Sequence, residues 1–275
     1  MASDERVEDH YASAGIAERI LTALRAANGA DAVLTPEALA PLDHFHGRGL
    51  LATKEIAVVL APQPGERLLD IGSGIGGPAR WVAATFDCHV TGIDLTAEFC
   101  AAADALNAAT GLAERVRIVH GSALALPFED GSFDRAYSQN VVMNIADKRE
   151  FYRQARRVLK PGGVLALSNA ASGTGEPHFP VPWARTAATS FLSSPDETRA
   201  DLEAAGFEIL SFRDTTADIV PFQAALRRKV EAEGLPALSL KVLIGPRIVE
   251  YLLNSARSME EGRVRLLEIL VRRPA

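Results

Sequence analysis

The spacing of glycine and aspartate residues between positions 70 and 94 carries the strongest chemical signal in this 275-residue chain. Gly72, Gly74 and Gly77 fit the pattern G-x-G-x-x-G directly after an apolar run, and Asp94 lies 20 residues beyond Gly74. Glycines at this spacing let a backbone turn tightly beside a nucleotide, and an acidic residue at that distance accepts hydrogen bonds from a ribose. The pattern predicts a nucleotide site, and NAD is one ligand that fits it.

Asp70, two positions before the first glycine, distinguishes between two kinds of nucleotide. A dinucleotide places a negatively charged pyrophosphate at the helix N-terminus, and a neighbouring carboxylate repels that charge. S-adenosylmethionine has no phosphate and carries a sulfonium and an ammonium group, which a carboxylate attracts. Asp70 therefore favours S-adenosylmethionine, and an NAD-dependent oxidoreductase remains the alternative.

Strand and helix patterns alternate around this glycine turn. Strands are predicted at 67–71, 89–94, 115–121, 133–138, 164–170, 207–213 and 263–273, and helices at about 5–27, 50–60, from 78, 96–109, 147–158 and 195–206. Thr35 before Pro36 is a predicted helix N-cap. Such alternation is typical of parallel strands with right-handed crossovers, so the fold class is α/β with a doubly wound sheet. The strand at 263–273 returns to that sheet, and 214–262 is an insertion that looks helical.

The bulk composition narrows the class of protein. Hydrophobic residues make up 48% of the chain, which is enough for a globular core. The formal net charge of −6 disfavours nucleic acid as the main partner, because phosphate backbones are also negative. The charged start has no signal-peptide pattern, and no apolar run is long enough to span a membrane. Cys88 and Cys100 suit reduced core residues, so we expect a cytoplasmic protein without a metal site.

Several motifs resemble, in order and spacing, those of the class I S-adenosylmethionine-dependent methyltransferases. They are "LLDIGSGIGGPAR", "VTGIDLT", "ALALPFEDGSFDRAYSQN" and "RVLKPGG". "GIGGPAR" is similar to the sterol, tocopherol and glycine-betaine branch, and "DHFHGRGLLAT" and "HFPVPWA" resemble a bacterial small-molecule subgroup associated with secondary metabolism. The resemblance implies a Rossmann-like seven-stranded sheet of order 3-2-1-4-5-7-6 with the last strand antiparallel. It covers residues 67–170 most strongly.

The resemblance also implies a domain plan and a set of cofactor-binding residues. One domain, 1–275, would comprise an N-terminal helical segment (1–62), a core (63–213 and 263–273) and a helical substrate cap (214–262). Relatives suggest that the cofactor contacts Asp70, Gly72, Ser73, Gly74, Asp94, Leu95, Ser122, Ala123 and Gln139. Asp94 would take both ribose hydroxyls, and Gln139 would lie near the transferred methyl. Many relatives carry aspartate at the position of Ser122. Serine is a weaker acceptor than aspartate for the adenine amino group.

Histidines are the natural candidates for a proton-accepting role, because a hydroxyl or carbon nucleophile usually needs help to lose its proton. His46 lies where the subgroup also has histidine, and His178 lies in the segment expected to face the substrate. Both are predicted catalytic residues. The alternative interpretation of His46 is a hydrogen bond at a helix end, and that of His178 is a solvated loop residue. Close relatives often have histidine in place of Asn140, and an amide cannot act as a base near pH 7.

Aromatic residues outside the core motifs predict a pocket for a flat or hydrophobic acceptor. The predicted substrate-binding residues are Tyr11, Phe45, Asn140, Phe179, Trp183 and Phe222. The alternative is that the aromatic side chains only cover the edge of the sheet.

Three functional hypotheses follow. The first is an S-adenosylmethionine-dependent methyltransferase for a small molecule, preferably an apolar natural-product intermediate, by C-, O- or N-methylation. The second is the NAD-dependent oxidoreductase, and the third is a non-catalytic protein that keeps the fold. A homo-oligomer formed through the N-terminal helix stays open.

Overall fold

Strands and helices alternate along most of the chain in the computed structural model, which describes residues 15–29, 31, 33–44, 46 and 48–275. The strands are β1 (Arg67–Ile71), β2 (His89–Asp94), β3 (Val116–His120), β4 (Phe133–Gln139), β5 (Leu159–Ser172), β6 (Glu208–Asp214) and β7 (Val264–Arg272). The helices are α1 (Ile16–Asn28), α2 (Pro36–Asp43), α3 (Leu50–Leu60), α4 (Gly77–Phe86), α5 (Ala97–Ala109), α6 (Lys148–Val158), α7 (Pro195–Ala204), α8 (Thr216–Glu233), α9 (Lys241–Ile244) and α10 (Ile248–Glu260).

One sheet joins the seven strands of the described part of the chain, in the order β3-β2-β1-β4-β5-β7-β6. Strands β1 to β5 pair in parallel, whereas β7 runs antiparallel to both β5 and β6. The order and the reversed last strand confirm the predicted topology.

Apolar side chains cover both faces of this sheet. On one face, Leu267, Ile269 and Val271 of β7 join a buried cluster with α6 and α7. On the other face, α3 and α4 pack against β1, β2 and β4. Residues that alternate along a strand point to opposite faces, which explains why β7 has apolar residues on both of its faces.

Local sequence determines where several helices begin. The Thr35 side chain accepts a hydrogen bond from Ala38 N at 3.2 Å, and proline follows it at the first helical position, as predicted. Ser194 and Glu197 form a reciprocal capping box at the start of α7. These caps satisfy backbone N–H groups that a helix leaves unpaired.

Strand β5 is longer than the predicted 164–170. Leu159 pairs with Phe133 before a register irregularity, and regular pairing with β4 resumes at Val164. The "KPGG" turn is therefore a bulge within one strand. The predicted helix at 5–27 is described from Ile16 onward, and predictions that concern Tyr11 and Phe45 lie outside the described residues.

The segment 214–262 lies between β6 and β7 and contains α8, α9 and α10. It leaves the sheet where β6 ends and returns where β7 begins, which is the edge that holds the carboxyl ends of the parallel strands. Its Leu243 packs in a cluster with α1, and Arg19 of α1 donates to the Leu243 carbonyl at 3.3 Å. None of the helices in the described residues has the length and apolar character needed to cross a bilayer.

Candidate active site

A cavity of about 250 Å³ opens at the carboxyl ends of the parallel strands. Ligands of doubly wound sheets bind at this edge, where loops from several strands converge. One half is formed by the glycine turn and the ends of β1 to β4, and we call it the nucleotide half. The other half, the acceptor half, has mostly apolar walls: Met143, Ala170, Trp183, Ile219, Ile248, Leu252, Met259, Val264 and Leu266.

Every predicted cofactor-binding residue lines this cavity. The set comprises Asp70, Gly72, Ser73, Gly74, Asp94, Leu95, Ser122, Ala123 and Gln139. They lie at the ends of four different strands, and only the residues of the glycine turn are close together in the chain. The sheet order brings them together, because the ends of neighbouring parallel strands meet at one edge.

The glycine turn donates its first three N–H groups to strand β2. Gly72 N and Ser73 N both reach the Ile93 carbonyl, at 2.8 and 3.1 Å, and Gly74 N reaches Asp94 Oδ2 at 2.8 Å. Gly72 has φ 78°, and a side chain there would clash with Val141. These three donors are used within the protein, so they do not form a cradle for a pyrophosphate.

Asp94 holds the end of β2 and keeps capacity for a ligand. Its Oδ2 accepts from Gly74 N, and its Oδ1 accepts from Thr96 N at 2.9 Å. Burial raises the pKa of the carboxyl, and the hydrogen bonds from Thr96 and Gly74 oppose that shift. Each carboxylate oxygen has a further lone pair. Asp94 can therefore accept from two ribose hydroxyls without losing its own contacts.

Asp70 is buried at the end of β1, and its Oδ2 has no hydrogen-bond partner among the described residues. Burial raises the pKa of this carboxyl to about 8; the nearby Tyr137 hydroxyl opposes the shift and the charge on Asp94 adds to it. A buried carboxylate oxygen without a donor is costly. A cationic ligand group in the cavity would satisfy it, which fits the ammonium of S-adenosylmethionine.

Gln139, Thr53 and His46 form a buried polar chain beside the cavity. Thr53 Oγ1 donates to Gln139 Oε1 at 3.3 Å, and it lies 3.3 Å from His46 Nε2. Since a hydroxyl has one hydrogen, this network assigns the proton of His46 to Nε2. Its Nδ1, buried and without a partner among the described residues, is then an acceptor.

His46 is neutral at physiological pH. Burial, together with the charges of His44 and Arg48, lowers the pKa of its imidazole to about 3, although the charge of Asp43 acts in the opposite direction. The His44 ring lies nearly perpendicular to it, with the centroids 5.6 Å apart. His46 is therefore suited to orienting a ligand by hydrogen bonds, and it is a weak proton acceptor.

A buried ion pair fixes the residues around His46 to the glycine turn. Arg80 Nη2 donates to Asp43 Oδ2 at 2.9 Å and to the Ile75 carbonyl at 2.7 Å, and Nη1 donates to Asn107 at 2.8 Å. The other Asp43 oxygen lies 2.7 Å from His44 Nδ1. Sequence reasoning missed this network, although Arg80 closes the "GIGGPAR" motif.

Two polar residues illustrate how the acceptor half is built. Asn140 lines the cavity with φ 56°, a left-handed conformation that asparagine tolerates better than most residues. Its N–H donates to the Ser168 carbonyl at 2.8 Å. Asn144 donates from its side chain to the Trp183 carbonyl at 2.7 Å, which holds the predicted Trp183 at the cavity wall.

Three predicted residues do not line the cavity. His178 Nε2 pairs with Glu261 Oε2 at 2.7 Å, which ties the loop after β5 to the end of α10. Phe179 packs at the edge of a neighbouring apolar cluster, and Phe222 lies on the outer face of α8 with 44% of its surface exposed. Contacts with the segment 214–262 determine these positions, and the local sequence pattern does not predict how this segment folds.

The fold, the cavity and the two carboxylates define the class of protein. Residues 69–167 match the family model described as a methyltransferase domain. Together with the relatives reported next, this match shows that the chain belongs to the S-adenosylmethionine-dependent methyltransferases and acts on a small molecule with S-adenosylmethionine as its cofactor.

The relatives extend the likeness beyond the matched region. The chain is 30% identical over 215 residues to the O-methyltransferase resE of Aspergillus sclerotiorum, and the match covers 76% of this chain and 78% of the relative. The crystal structure of the [4+2]-cyclase SpnF is 26% identical, with a TM-score of 0.65, and the match covers 82% of this chain and 81% of that one. Geranyl diphosphate C-methyltransferase from Streptomyces coelicolor A3(2) has the same fold, with a TM-score of 0.70 at 18% identity and coverage of 99% and 98%.

Proposed function

We propose that the chain transfers a methyl group to an uncharged, largely apolar small molecule bound beneath the segment 214–262. The observation that carries this proposal is one continuous cavity whose two halves differ in chemistry. The nucleotide half is lined by Asp70 and Asp94, and the acceptor half by apolar side chains of α8, α10 and β7. An apolar wall gains from burying an apolar acceptor and excludes water from the reacting groups.

The cofactor roles follow from the contacts of each residue. Asp94 keeps lone pairs for the ribose hydroxyls, and Asp70 offers a buried oxygen to the ammonium group. Leu95, Ser122 and Ala123 lie at the far end of the nucleotide half, where they are suited to the adenine. When bound, S-adenosylmethionine supplies the electrophilic methyl group. The protein's own part is to align the acceptor with it.

Charge supports an uncharged acceptor. Arg48 lines the cavity but is already held by Glu55, with Nη1 2.6 Å from Oε1. The carboxyl groups of Asp70, Asp94 and Glu268 share the same lining; Asp70 becomes a carboxylate when it binds the ammonium of the cofactor, and Glu268 is paired with Arg213. An anionic acceptor would lose its hydration and face these carboxylates, which is costly. A diphosphate such as geranyl diphosphate, for which the structural relative is named, is therefore disfavoured here.

The polar contacts of His46 support an orienting role. Its neutral imidazole offers Nδ1 as an acceptor, and the polar chain through Thr53 links it to Gln139. We propose that it holds a polar hydrogen of the acceptor or the cofactor in place. The contact between His178 and Glu261 supports a structural role for His178, so His178 has no part in the proposed transfer.

We also propose that the three predicted segments form a single domain. Residues 1–62, the core (63–213 and 263–273) and the cap (214–262) would act as one domain, since α9 of the cap packs on α1. Buried, unpaired Cys88 and Cys100 suit a reducing cytoplasm. The apolar side chains of α1 pack within the chain, so its described part gives little support to an oligomer interface.

Binding and transfer test the proposal in sequence. S-adenosylhomocysteine should raise the melting temperature of the protein, and NAD should not. Labelled S-adenosylmethionine should then methylate neutral phenols or terpenoid alcohols in preference to matched phosphorylated acceptors. Stabilisation by NAD alone, a preference for the phosphorylated acceptors, or conversion of an acceptor without methyl transfer would each contradict the proposal.

Asp94→Asn provides the site variant for the binding step. Its matched control is Asp104→Asn, the same change at an exposed position of α5 outside the cavity lining. S-adenosylhomocysteine should stabilise the control as it does the original protein and stabilise the Asp94 variant less.

A further inference from the structure

We infer that Glu268 recognises a hydroxyl group of the acceptor, at a point about two strand spacings from the atom that is methylated. This inference rests on the proposed function and assigns the acceptor a feature that the apolar walls alone do not require. Glu268 lies at the floor of the cavity, and the register of the sheet determines its neighbours.

A row of polar side chains crosses the sheet beneath the cavity. Gln139 of β4 is in register with Ser168 of β5, which is in register with Glu268 of β7. Side chains in register on adjacent strands lie on the same face. All three residues line the cavity. The row therefore leads from the nucleotide half into the acceptor half.

Glu268 interrupts an apolar stripe. Val264 and Leu266, the preceding residues on the same face of β7, also line the cavity and are apolar. A carboxylate among apolar side chains is costly unless its oxygens are paired. Arg213 Nη1 donates to Glu268 Oε1 at 2.9 Å, and among the described residues no other hydrogen bond to this carboxylate is found.

A purely structural ion pair is the competing explanation. The same two strands carry such a pair at their other end, where Arg272 Nη2 donates to Glu208 Oε2 at 2.7 Å. Both of those side chains are nearly half exposed, at 44% and 48%, and neither lines the cavity. The Glu268 side chain is only 17% exposed and faces the cavity. Its remaining lone pairs are placed to accept from a ligand.

The register also sets the size of the acceptor. Neighbouring strands lie about 4.8 Å apart, so two spacings place Glu268 about 10 Å from Gln139. Gln139 is the residue proposed to lie near the transferred methyl. A molecule that reaches both positions is at least as long as two fused rings, and it carries a hydroxyl at the end remote from the reaction.

The test compares acceptors with and without that hydroxyl. The probes are naphthols that carry one hydroxyl and dihydroxynaphthalenes with a second hydroxyl at the far end of the ring system. In the presence of S-adenosylhomocysteine, the original protein should bind the diol about 10- to 100-fold more tightly, as expected for a hydrogen bond to a charged group. Glu268→Leu should lose that preference, and Glu268→Gln should keep part of it.

Glu208→Gln is the control, since it changes the cross-strand pair outside the cavity. It should keep the full preference for the diol. All variants should retain the affinity for S-adenosylhomocysteine and the melting temperature of their complexes, which separates this inference from the proposed function. Equal binding of the two probes, binding of neither, or a preference that survives Glu268→Leu would overturn the inference. Loss of S-adenosylhomocysteine binding in the original protein would instead overturn the proposed function.

Discussion

Replacing Asp70 by asparagine should stabilise the ligand-free protein and weaken cofactor binding. The carboxyl is buried, and burial raises its pKa to about 8 from the ordinary value of 3.8. Because the folded state holds the proton more tightly than the unfolded chain, this group's contribution to stability is fully present below pH 3.8. It is lost as the pH rises through about 8.

The pKa difference sets the size of the effect. Between about pH 4 and pH 8 the unfolded chain has lost this proton and the folded protein has kept it. The free energy of unfolding therefore falls by about 1.4 kcal/mol per pH unit through this group, to a total of at most about 6 kcal/mol. An asparagine side chain does not titrate, so Asp70→Asn lacks this slope. The variant's advantage should grow from pH 5 to pH 8 and then level off.

Urea unfolding at pH 5, 6, 7, 8 and 9 without ligand measures this difference. Other titrating groups are common to both proteins and cancel to first order in the difference between them. The affinity of the original protein for S-adenosylhomocysteine should rise with pH, because the ammonium group of this ligand pairs with the ionised carboxylate of Asp70. In the variant it should be about 10- to 100-fold lower and lack that rise. If the free energies of unfolding of the two proteins differed by the same amount at every pH, the raised pKa of Asp70 would be refuted. If the variant bound S-adenosylhomocysteine as tightly as the original protein, Asp70 would have no part in cofactor binding.

Three further outcomes test other parts of the site. Arg80→Met should cost about 3–5 kcal/mol in urea unfolding, because it leaves the buried Asp43 carboxylate without its guanidinium, and adding Asp43→Leu should recover part of that loss. Asp94→Asn should weaken S-adenosylhomocysteine binding at least about tenfold by calorimetry, whereas the exposed Asp104→Asn should leave it unchanged. His46→Gln should lower kcat/KM without changing the shape of its pH profile between pH 6 and 8, because the pKa of His46 lies near 3; loss of a titration in that range would contradict the orienting role.

The nucleotide half was predictable from sequence because its residues lie at fixed offsets from recognisable strands. Asp70 and Asp94 lie at the carboxyl ends of β1 and β2, and parallel strands place these ends at one edge. The order of the sheet was predictable because the motifs along the chain resemble a family with a known topology, and the strand at 263–273 fits it. Boundaries were less predictable where tertiary pairing decided them, as for Leu159 opposite Phe133.

The acceptor half depends on contacts that no local pattern encodes. His178 pairs with Glu261, which lies 83 positions later in the chain, and Phe222 faces outward on α8. Glu268 and Ser168 escaped sequence reasoning because neither belongs to a recognisable motif, and both strands carry other polar residues. Only the register of β4 with β5 and of β5 with β7 reveals that they share a face with Gln139.

The electrostatics of the lining suggest which nucleophiles the site can methylate. Asp70 and Asp94 are assigned to the cofactor, and Asp43, Glu55 and Glu268 are each paired with an arginine. Asn140 cannot accept a proton near pH 7, and His46 is a weak base. The described lining thus offers orientation and exclusion of water more than proton removal. Phenols lose their proton far more readily than aliphatic alcohols, so phenols should be methylated faster than alcohols of the same shape. Measuring kcat for a naphthol and for its ring-saturated alcohol decides the point, since equal rates would require a base that this arrangement does not provide.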